Sequence, residues 1–309
     1  MYFPYLRGRQ YELIALRDLL DNNRLSKNVI PIIEPVKLTS TLINTLEKFK
    51  TTNTSCALIL NPAVGSFSKE YSSEEKVDLV NRLNSVLDNN ESLYYTSLIN
   101  DGYQPIDNFY QNDMGDNRII ICKKPDDLQI YNKFYTSSDI TYNLISDNSR
   151  LRRGILENRV KLGDNFSKLP RNIDYAKISD EFYSDDHIVY QDDGYIGFSD
   201  YSVVGDNYAE AGFAPYAVAI HIVYFDKEDN LRIRHFVSDS NLDPSNPAGK
   251  FKEALSKMMD EVNNKTIDRT LAVEEFEKLF NLKSYPGLGT VKKLSIMHHI
   301  ELVGKYLDR

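Results

Sequence analysis

The sequence predicts an α/β fold, namely a (β/α)8-like (TIM-type) barrel followed by a C-terminal β-hairpin and a helical cap. Over the first two thirds of the 309 residues, short apolar runs alternate with segments of helical periodicity. Strands separated by helices pair in parallel and are buried on both faces, as in a barrel. After about Gly205 the alternation gives way to β-rich runs and then to three helical segments. We therefore expect a barrel over residues 1–205 and a cap over residues 206–309 that packs on it.

The apolar runs define the strands of the predicted barrel in chain order. Residues 2–6, VIPIIEPV and CALILN are the first three, and each leads into a segment with apolar residues at helical spacing. SLYYTSLIN, RIIICKK and ITYNLIS follow, with helical segments that begin near Pro105, Pro125 and Ser149. RVKLG is the seventh run, and either HIVYQ or YIGFSDYS supplies the eighth strand. Seven such units and an eighth strand favour a closed barrel, and a doubly wound open sheet is the alternative.

Beyond residue 205, the runs AVAIHIVYF and LRIRHFVS flank the five-residue loop DKEDN, which predicts an antiparallel hairpin. This loop sets a register in which His221 faces His235 within an apolar face. A slip of one residue would turn Arg232 and Arg234 toward that face. Facing imidazoles in an apolar face must be neutral, hydrogen-bonded or metal-bound. His221 and His235 are therefore candidate ligand-binding residues, and core histidines satisfied by the backbone are the alternative.

Near the C-terminus, MHHIEL places His298 and Glu301 three residues apart, a spacing that puts both on one face of a helix. Two such groups make an incomplete metal site, and the zincin pattern with a second histidine at i+4 is absent. We expect a helix with a polar surface there.

Charge and cysteine content limit the function classes. The formal net charge of −8 disfavours nucleic-acid binding driven by overall charge. Cys56 and Cys122 each lie in an apolar run, which predicts buried, reduced thiols. The N-terminus lacks the apolar run of a secretory signal, and no stretch approaches the length of a membrane span. We therefore expect a cytoplasmic protein that does not bind a membrane.

Polar residues that end the apolar runs are the candidate site, because barrel enzymes build their sites at the carboxyl ends of the strands. The acidic candidates, for proton transfer or for binding a divalent metal, are Glu34, Asp164 and Asp200. The basic candidates, for holding a small anionic ligand, are Arg7, Arg9, Lys37, Arg152 and Arg153. Solvated or ion-paired side chains are the alternative for each, since strand ends are polar in any barrel. The metal and the substrate are not identified by these residues.

Glu34 is the most distinctive of these candidates. IPIIEPV places its carboxylate inside an apolar run and directly before a proline. A carboxylate removed from water in this way needs a cationic partner, which predicts that Arg7 or Arg9 lies within salt-bridge reach. A structural ion pair and a functional acid are both consistent with this position.

The opening MYFPYLRGRQYELIALRDL, followed by VIPIIEPV, resembles the beta protein family of bacteria and tailed phages. The blocks GFSDYSVVG, APYAVAIHIVYF, IRHFVSDSN, AGKFKEAL and PGLGTVKKLSIMHHIEL are similar to one bacterial branch, so the resemblance covers nearly the whole chain. The family has no established activity. Members of this branch are often encoded beside a predicted restriction-like nuclease. The resemblance therefore implies a link to phage defence and a nuclease subunit as a partner.

Two functions follow as hypotheses. The first is a barrel that binds a phosphate- or nucleotide-like ligand at its mouth and hydrolyses it with metal assistance, as a phosphodiesterase does. The second is a noncatalytic partner or regulator of the nuclease, with the hairpin and the C-terminal helices as the docking surface. A pocket in which acids and bases converge favours the first, whereas a filled barrel mouth and an apolar patch on the cap favour the second.

Overall fold

The structure is a computed structural model that describes residues 1–105, 117–210 and 215–309. The helical segment expected after Pro105 falls in residues 106–116 and lies outside the described residues. The described strands are β1 (Tyr5–Leu6), β2 (Ile32–Ile33), β3 (Cys56–Ile59), β4 (Leu93–Leu98), β5 (Arg118–Cys122), β6 (Tyr142–Ser146), β7 (Arg159–Leu162), β8 (Asp180–Ser184), β9 (Gly197–Ser199), β10 (Ala219–Phe225) and β11 (Leu231–Val237).

Eight parallel strands form a nearly closed barrel, in the order β1 to β7 and then β9. The chain start closes it: the Phe3 amide donates to the carbonyl of Phe198 at 2.8 Å, and the Tyr5 amide donates to that of Asp200 at 2.8 Å. The predicted barrel is therefore confirmed over the open-sheet alternative. Its eighth strand comes from YIGFSDYS, whereas HIVYQ contributes to a short helix.

Burial on both faces explains why the strand sequences are almost uniformly apolar. In β5, Ile119 and Ile121 belong to the cluster that fills the barrel. The alternate residues Ile120 and Cys122 belong to a cluster that includes Tyr131 and Leu151 of the helices outside the barrel. This two-fold alternation is the one expected of a strand that has no solvent face.

Helices surround the barrel and build the C-terminal layer. They are α1 (Gln10–Asp21), α2 (Ser40–Thr51), α3 (Phe67–Tyr71), α4 (Val77–Leu87), α5 (Asp127–Phe134), α6 (Ser149–Gly154), α7 (Asp186–Val189), α8 (Pro247–Asn263), α9 (Leu271–Leu282) and α10 (Leu288–Leu307). Helix α2 illustrates how the sequence sets a helix start: the Thr39 hydroxyl accepts a hydrogen bond from the Leu42 amide at 3.2 Å and caps the first turn. Its apolar face is buried against α1 and α4.

A second sheet of three antiparallel strands, in the order β10-β11-β8, lies in the C-terminal layer. The predicted hairpin register is confirmed, since His221 pairs directly with His235. Strand β8 comes from between β7 and β9 and pairs with β11, so segments on both sides of residue 205 build this sheet.

Helix α10 packs against α1, α9 and β10. The expected polar surface around MHHIEL is wrong, because His298 and Glu301 are both buried. Val223 O lies 2.7 Å from His298 Nε2, and the Leu271 amide donates to Glu301 at 2.8 Å. The prediction for Cys56 and Cys122 is confirmed, since both are buried and unpaired. Among the described residues, no helix has the length and apolar character needed to cross a membrane.

Candidate functional site

The Glu34 carboxylate follows β2 and is fully buried at the carboxyl end of the barrel. Tyr5 donates its hydroxyl to Oε2 at 2.7 Å, and the Ala63 amide donates to Oε1 at 2.8 Å. Arg7 forms a salt bridge with Oε2, which confirms the expected pairing. Both carboxylate oxygens are thus occupied by protein donors, and Glu34 anchors the residues around it.

Arg7 links Glu34 to a second carboxylate that the sequence analysis did not single out. Its Nη2 donates to Asp206 Oδ1 at 2.6 Å, and Lys123 Nζ donates to the same oxygen at 3.0 Å. Burial opposes ionisation of Asp206, but the Lys123 and Arg7 charges outweigh it and lower the pKa of this carboxyl. Burial lowers the pKa of Lys123.

Two tyrosines complete this cluster. Arg7 lies 5.3 Å from the ring centre of Tyr5 and 5.4 Å from that of Tyr201, and Lys123 lies 5.0 and 4.9 Å from the same two rings. Cations at these distances over aromatic faces are stabilised by the ring quadrupole. Glu34, Arg7, Lys123, Asp206 and the two tyrosines are called the mouth cluster below.

Asp164 forms a hydrogen bond with the loop that carries Asp206 to the mouth cluster. Its Oδ2 accepts the Asp206 amide at 3.1 Å. Gly205 precedes this contact with φ of +75°, a conformation that favours glycine. Burial, with a smaller contribution from Asp206, raises the pKa of the Asp164 carboxyl. Asp164 therefore positions the mouth cluster.

A pocket of about 260 Å³ opens beside the mouth cluster, between the barrel loops and the C-terminal layer. We call it the basic pocket, because the cationic side chains that line it are Arg7, Arg9, Lys168 and Lys292. The aromatic side chains along its wall include Phe166, Tyr175, Tyr208 and His221.

Three of the four cations are held near one another with little acidic compensation. Burial and then the charges of Lys292 and Arg9 lower the pKa of Lys168, while Asp164 acts in the opposite direction. Glu12 Oε1 lies 3.4 Å from Lys292 Nζ. In the described part of the chain, no carboxylate lies within salt-bridge distance of Arg9 or Lys168. Arg9 stacks over the Tyr208 ring at 4.8 Å, and Lys168 donates to the carbonyl of Asn207 at 3.0 Å.

His221 in the wall of the basic pocket forms a pair with His235, which lies behind it. Their Nδ1 atoms are 2.7 Å apart, and His235 Nε2 lies 3.1 Å from Glu181 Oε1 on β8. The Tyr175 ring packs against both imidazoles, at centroid distances of 4.7 and 4.6 Å. Burial and the neighbouring His235 lower the pKa of His221 to about 3, so this imidazole is neutral.

The structure does not bring the remaining predicted residues into the mouth cluster or the basic pocket. Asp200 leaves β9 on its outer face, where it accepts the Tyr2 hydroxyl at 2.9 Å and the Ser202 amide at 2.7 Å. Burial raises its pKa to about 7. Successive strand residues point to opposite faces, which is why Asp200 faces α10 and not the barrel interior.

Three predicted cations are surface residues. Arg152 pairs with Asp147 at 2.9 Å, and Arg153 donates to the carbonyl of Ser149 at 3.1 Å, both on or next to α6. Lys37 lies 4.0 Å from Glu210 with half of its side chain exposed. Their geometry is that of solvated or ion-paired strand ends.

The charged residues of the mouth cluster and the basic pocket that were not among the predicted site residues are Lys123, Asp206, Lys168 and Lys292, and Glu181 beside His235 was not predicted either. Asp206 directly follows Gly205, where the alternation of strands and helices ends in the sequence. Nothing in the sequence indicates that its carboxylate forms a salt bridge with Arg7. Lys168 and Lys292 lie 124 positions apart, and only the packing of α10 against the barrel brings them to one pocket.

Together the fold and this geometry define a TIM-type barrel with a filled mouth and an electropositive pocket beside it. Within residues 1–105, 117–210 and 215–309, no three His, Cys, Asp or Glu side chains are grouped to hold a metal ion. Comparisons of the chain with protein-family models, with curated proteins and with solved structures found no match. The resemblance to the beta protein family stays a prediction.

Proposed function

We propose that this protein binds a small anion of phosphate or nucleotide type in the basic pocket. The observation that supports this most strongly is the convergence of Arg9, Lys168 and Lys292, which come from the β1 end, the segment after β7 and α10. Like charges held together cost free energy, and a bound anion would offset that cost. Backbone carbonyls and one carboxylate offset it only in part.

The size of the pocket limits the ligand. A volume of about 260 Å³ lies just below the range of roughly 300–1,000 Å³ that is usual for pockets of drug-sized ligands. Phosphate or a sugar phosphate fits such a volume better than a dinucleotide does. The aromatic wall of Phe166 and Tyr175 offers an apolar surface for the remainder of the ligand.

The mouth cluster supports binding more than hydrolysis. Glu34 already accepts from three donors, and Asp164 accepts the Asp206 amide. We therefore propose that these two acids position Arg7 and the loop beside the pocket. Metal-assisted hydrolysis has no comparable support from the described carboxylates.

Isothermal titration with phosphate in chloride buffer tests the proposal. Lys168→Gln removes one pocket charge, so we expect phosphate affinity to fall about tenfold, the effect of losing one charge-assisted hydrogen bond. Lys37→Gln is the matched control, because it removes a surface lysine outside the pocket and leaves the affinity unchanged. Absence of phosphate binding by the unaltered protein, or equal losses in both variants, would contradict the proposal.

A second candidate, the noncatalytic nuclease partner, is favoured by an apolar groove of about 460 Å³ between α8 and α9. Phe280 on its edge is 38% exposed, and Leu282 at the end of α9 is 75% exposed. Exposed apolar side chains of this kind are typical of docking surfaces. Phe280→Asp, which changes a side chain that lines the groove, should abolish a complex with a restriction-like nuclease in size-exclusion chromatography. Leu242→Asp, at a position that is 97% exposed and is not part of the groove lining, should leave the complex intact.

A further inference from the structure

His221 gives the basic pocket a feature that a purely cationic site lacks. It lines the pocket, it is only half-buried by its neighbours, and its Nδ1 is engaged by His235. Its Nε2 has no hydrogen-bond partner among the described residues, and it is not one of the enclosed side-chain atoms that lack a partner. This nitrogen is therefore reached from the pocket, and its protonation state decides which ligand group it can bind.

The contact between the two imidazoles requires one proton between them. Two nitrogens 2.7 Å apart form a hydrogen bond only if one carries hydrogen and the other presents a lone pair. The hydrogen can lie on Nδ1 of either histidine, so a further hydrogen bond to one of the two rings must determine which Nδ1 carries it.

The Glu181 carboxylate determines which of the two Nδ1 atoms carries the hydrogen. An ionised carboxylate only accepts, so His235 Nε2, at 3.1 Å from Glu181 Oε1, must carry hydrogen. A neutral His235 then has a lone pair on Nδ1, and His221 must donate from its own Nδ1. The Nε2 of His221 is consequently unprotonated and acts as an acceptor.

Burial keeps the two imidazoles neutral, although two acids lie near His235. Phe166 and Tyr175 cover the rings, while Glu181 and Asp180 are the acids that act on His235. Burial lowers the pKa of His235 despite these acids, and burial together with the neighbouring His235 lowers the pKa of His221. In neutral solution the acceptor on His221 therefore persists.

We infer that the basic pocket selects an anion that brings its own hydrogen-bond donor, and that this donor binds to Nε2 of His221. The inference rests on the proposed anion binding and adds its selectivity. Phosphate carries a P–OH group near neutral pH, and a sugar phosphate also carries hydroxyls. Sulfate presents only acceptor oxygens, so its lone pairs would face the lone pair of His221. Phosphate is therefore expected to bind and sulfate to be rejected.

The test compares phosphate with sulfate by isothermal titration of the full chain at pH 7. We expect phosphate to bind at least about tenfold more tightly, since sulfate forfeits one hydrogen bond and meets an unpaired acceptor. His221→Phe keeps a ring of similar shape and should bring the two affinities together. His187→Phe, which removes a buried imidazole outside the pocket, should retain the preference.

Two further probes distinguish the source of the donor. At pH 8.5 phosphate monoesters have lost the P–OH proton, because their second pKa is about 6. Ribose 5-phosphate binding more tightly than methyl phosphate at this pH assigns the donor to a ligand hydroxyl. Equal binding of the two at pH 8.5, together with tighter binding of methyl phosphate at pH 5.5 where the P–OH group is present, assigns the donor to P–OH.

A measurement without ligand keeps the inference testable if His221→Phe fails to fold. The ¹⁵N spectrum of the histidines in the unaltered protein should show His221 with a protonated Nδ1 and an unprotonated Nε2. A protonated Nε2 at pH 7 overturns the inference. Equal phosphate and sulfate affinities also overturn it but leave the anion site standing, whereas no binding of either anion overturns the proposed function and the inference together.

Discussion

At the scale of single residues, Glu34 organises the barrel mouth because it is a charge that water cannot reach. Its partners come from two separate segments of the barrel: Tyr5 and Arg7 from the first strand and its end, and Ala63 from the loop after β3. A cationic partner, either Arg7 or Arg9, could be predicted from the sequence, because a carboxylate inside an apolar run needs a nearby cation. Asp206 could not, because it lies 199 positions from Arg7 and sits in a polar loop like any other.

The Glu34→Gln substitution tests this role. It leaves Arg7 buried with one carboxylate partner fewer, and removing one member of a buried pair costs about 3–5 kcal/mol of unfolding free energy. Urea denaturation measures the loss. Glu47→Gln is the control, because Glu47 pairs with Arg82 at 2.9 Å on the surface, where a pair contributes about 0–1 kcal/mol. Equal losses in the two variants would show that Glu34 is not an anchor.

The buried histidines predict a loss of stability in acid. Burial lowers the pKa of His298 to about 4 and those of His299 and His221 to about 3, below the value of 6.5 in unfolded chains. Their contribution is present above pH 6.5 and is lost as the pH falls toward 4. Asp200, with its pKa raised to about 7, acts oppositely: its contribution is present below pH 3.8 and is lost as the pH rises through 7.

The stability that the three histidines lose in acid exceeds the stability that Asp200 gains. The unfolding free energy should therefore fall between pH 6.5 and 4.5. Urea titrations at intervals of half a pH unit measure this. His221→Phe should show a shallower fall, because one titrating group is removed. A flat profile, or an unchanged slope in the variant, would contradict the neutral burial of these imidazoles.

At the scale of elements, the hairpin and the second sheet show where local pattern is sufficient. Loop length and alternation set the β10–β11 register, so the facing of His221 and His235 was predictable. The pairing of β8 with β11 joins residues 47 to 54 positions apart, and DEFYS carries no apolar alternation strong enough to indicate it. Glu181 was missed for the same reason.

Asp180→Asn tests the attachment of β8. Asp180 accepts from Tyr224 at 2.5 Å, from Arg232 Nε at 2.7 Å and from Arg234 Nε at 2.9 Å. Losing the charge should cost about 1–2 kcal/mol. Hydrogen exchange should quicken in β8 and β11 while the barrel strands keep their protection. Asp174→Asn, in an exposed pair with Arg171, is the control. Faster exchange throughout the chain would mean that this contact does not act locally.

At the scale of the whole molecule, the barrel and the C-terminal layer share one apolar core. The cluster around Leu13 and Leu16 of α1 continues through Ile296 and Ile300 of α10 to the second sheet. The barrel itself was predictable from eight apolar runs, because each strand is a local pattern. The continuous burial of α10 from Leu294 to Gly304 was not, since periodicity cannot reveal that the sheet and the helices enclose this stretch on all sides.

A chain ending at residue 205 should therefore not form a stable barrel. It would expose the α1 surface that α10 covers and would lack the Asp206 partner of Arg7. Circular dichroism and urea denaturation of residues 1–205 should show a non-cooperative transition. Co-expression with residues 206–309 should restore cooperativity. A fragment that unfolds as sharply as the full chain would show that the two parts are independent.

The central claim, an anion site made by Arg9, Lys168 and Lys292, is tested most directly by crystals of the full chain soaked in phosphate. We predict tetrahedral density in the basic pocket, within hydrogen-bond distance of Lys168, Lys292 and Nε2 of His221. Density only at surface cations such as Arg152 and Arg153, with an unoccupied basic pocket, would contradict the claim.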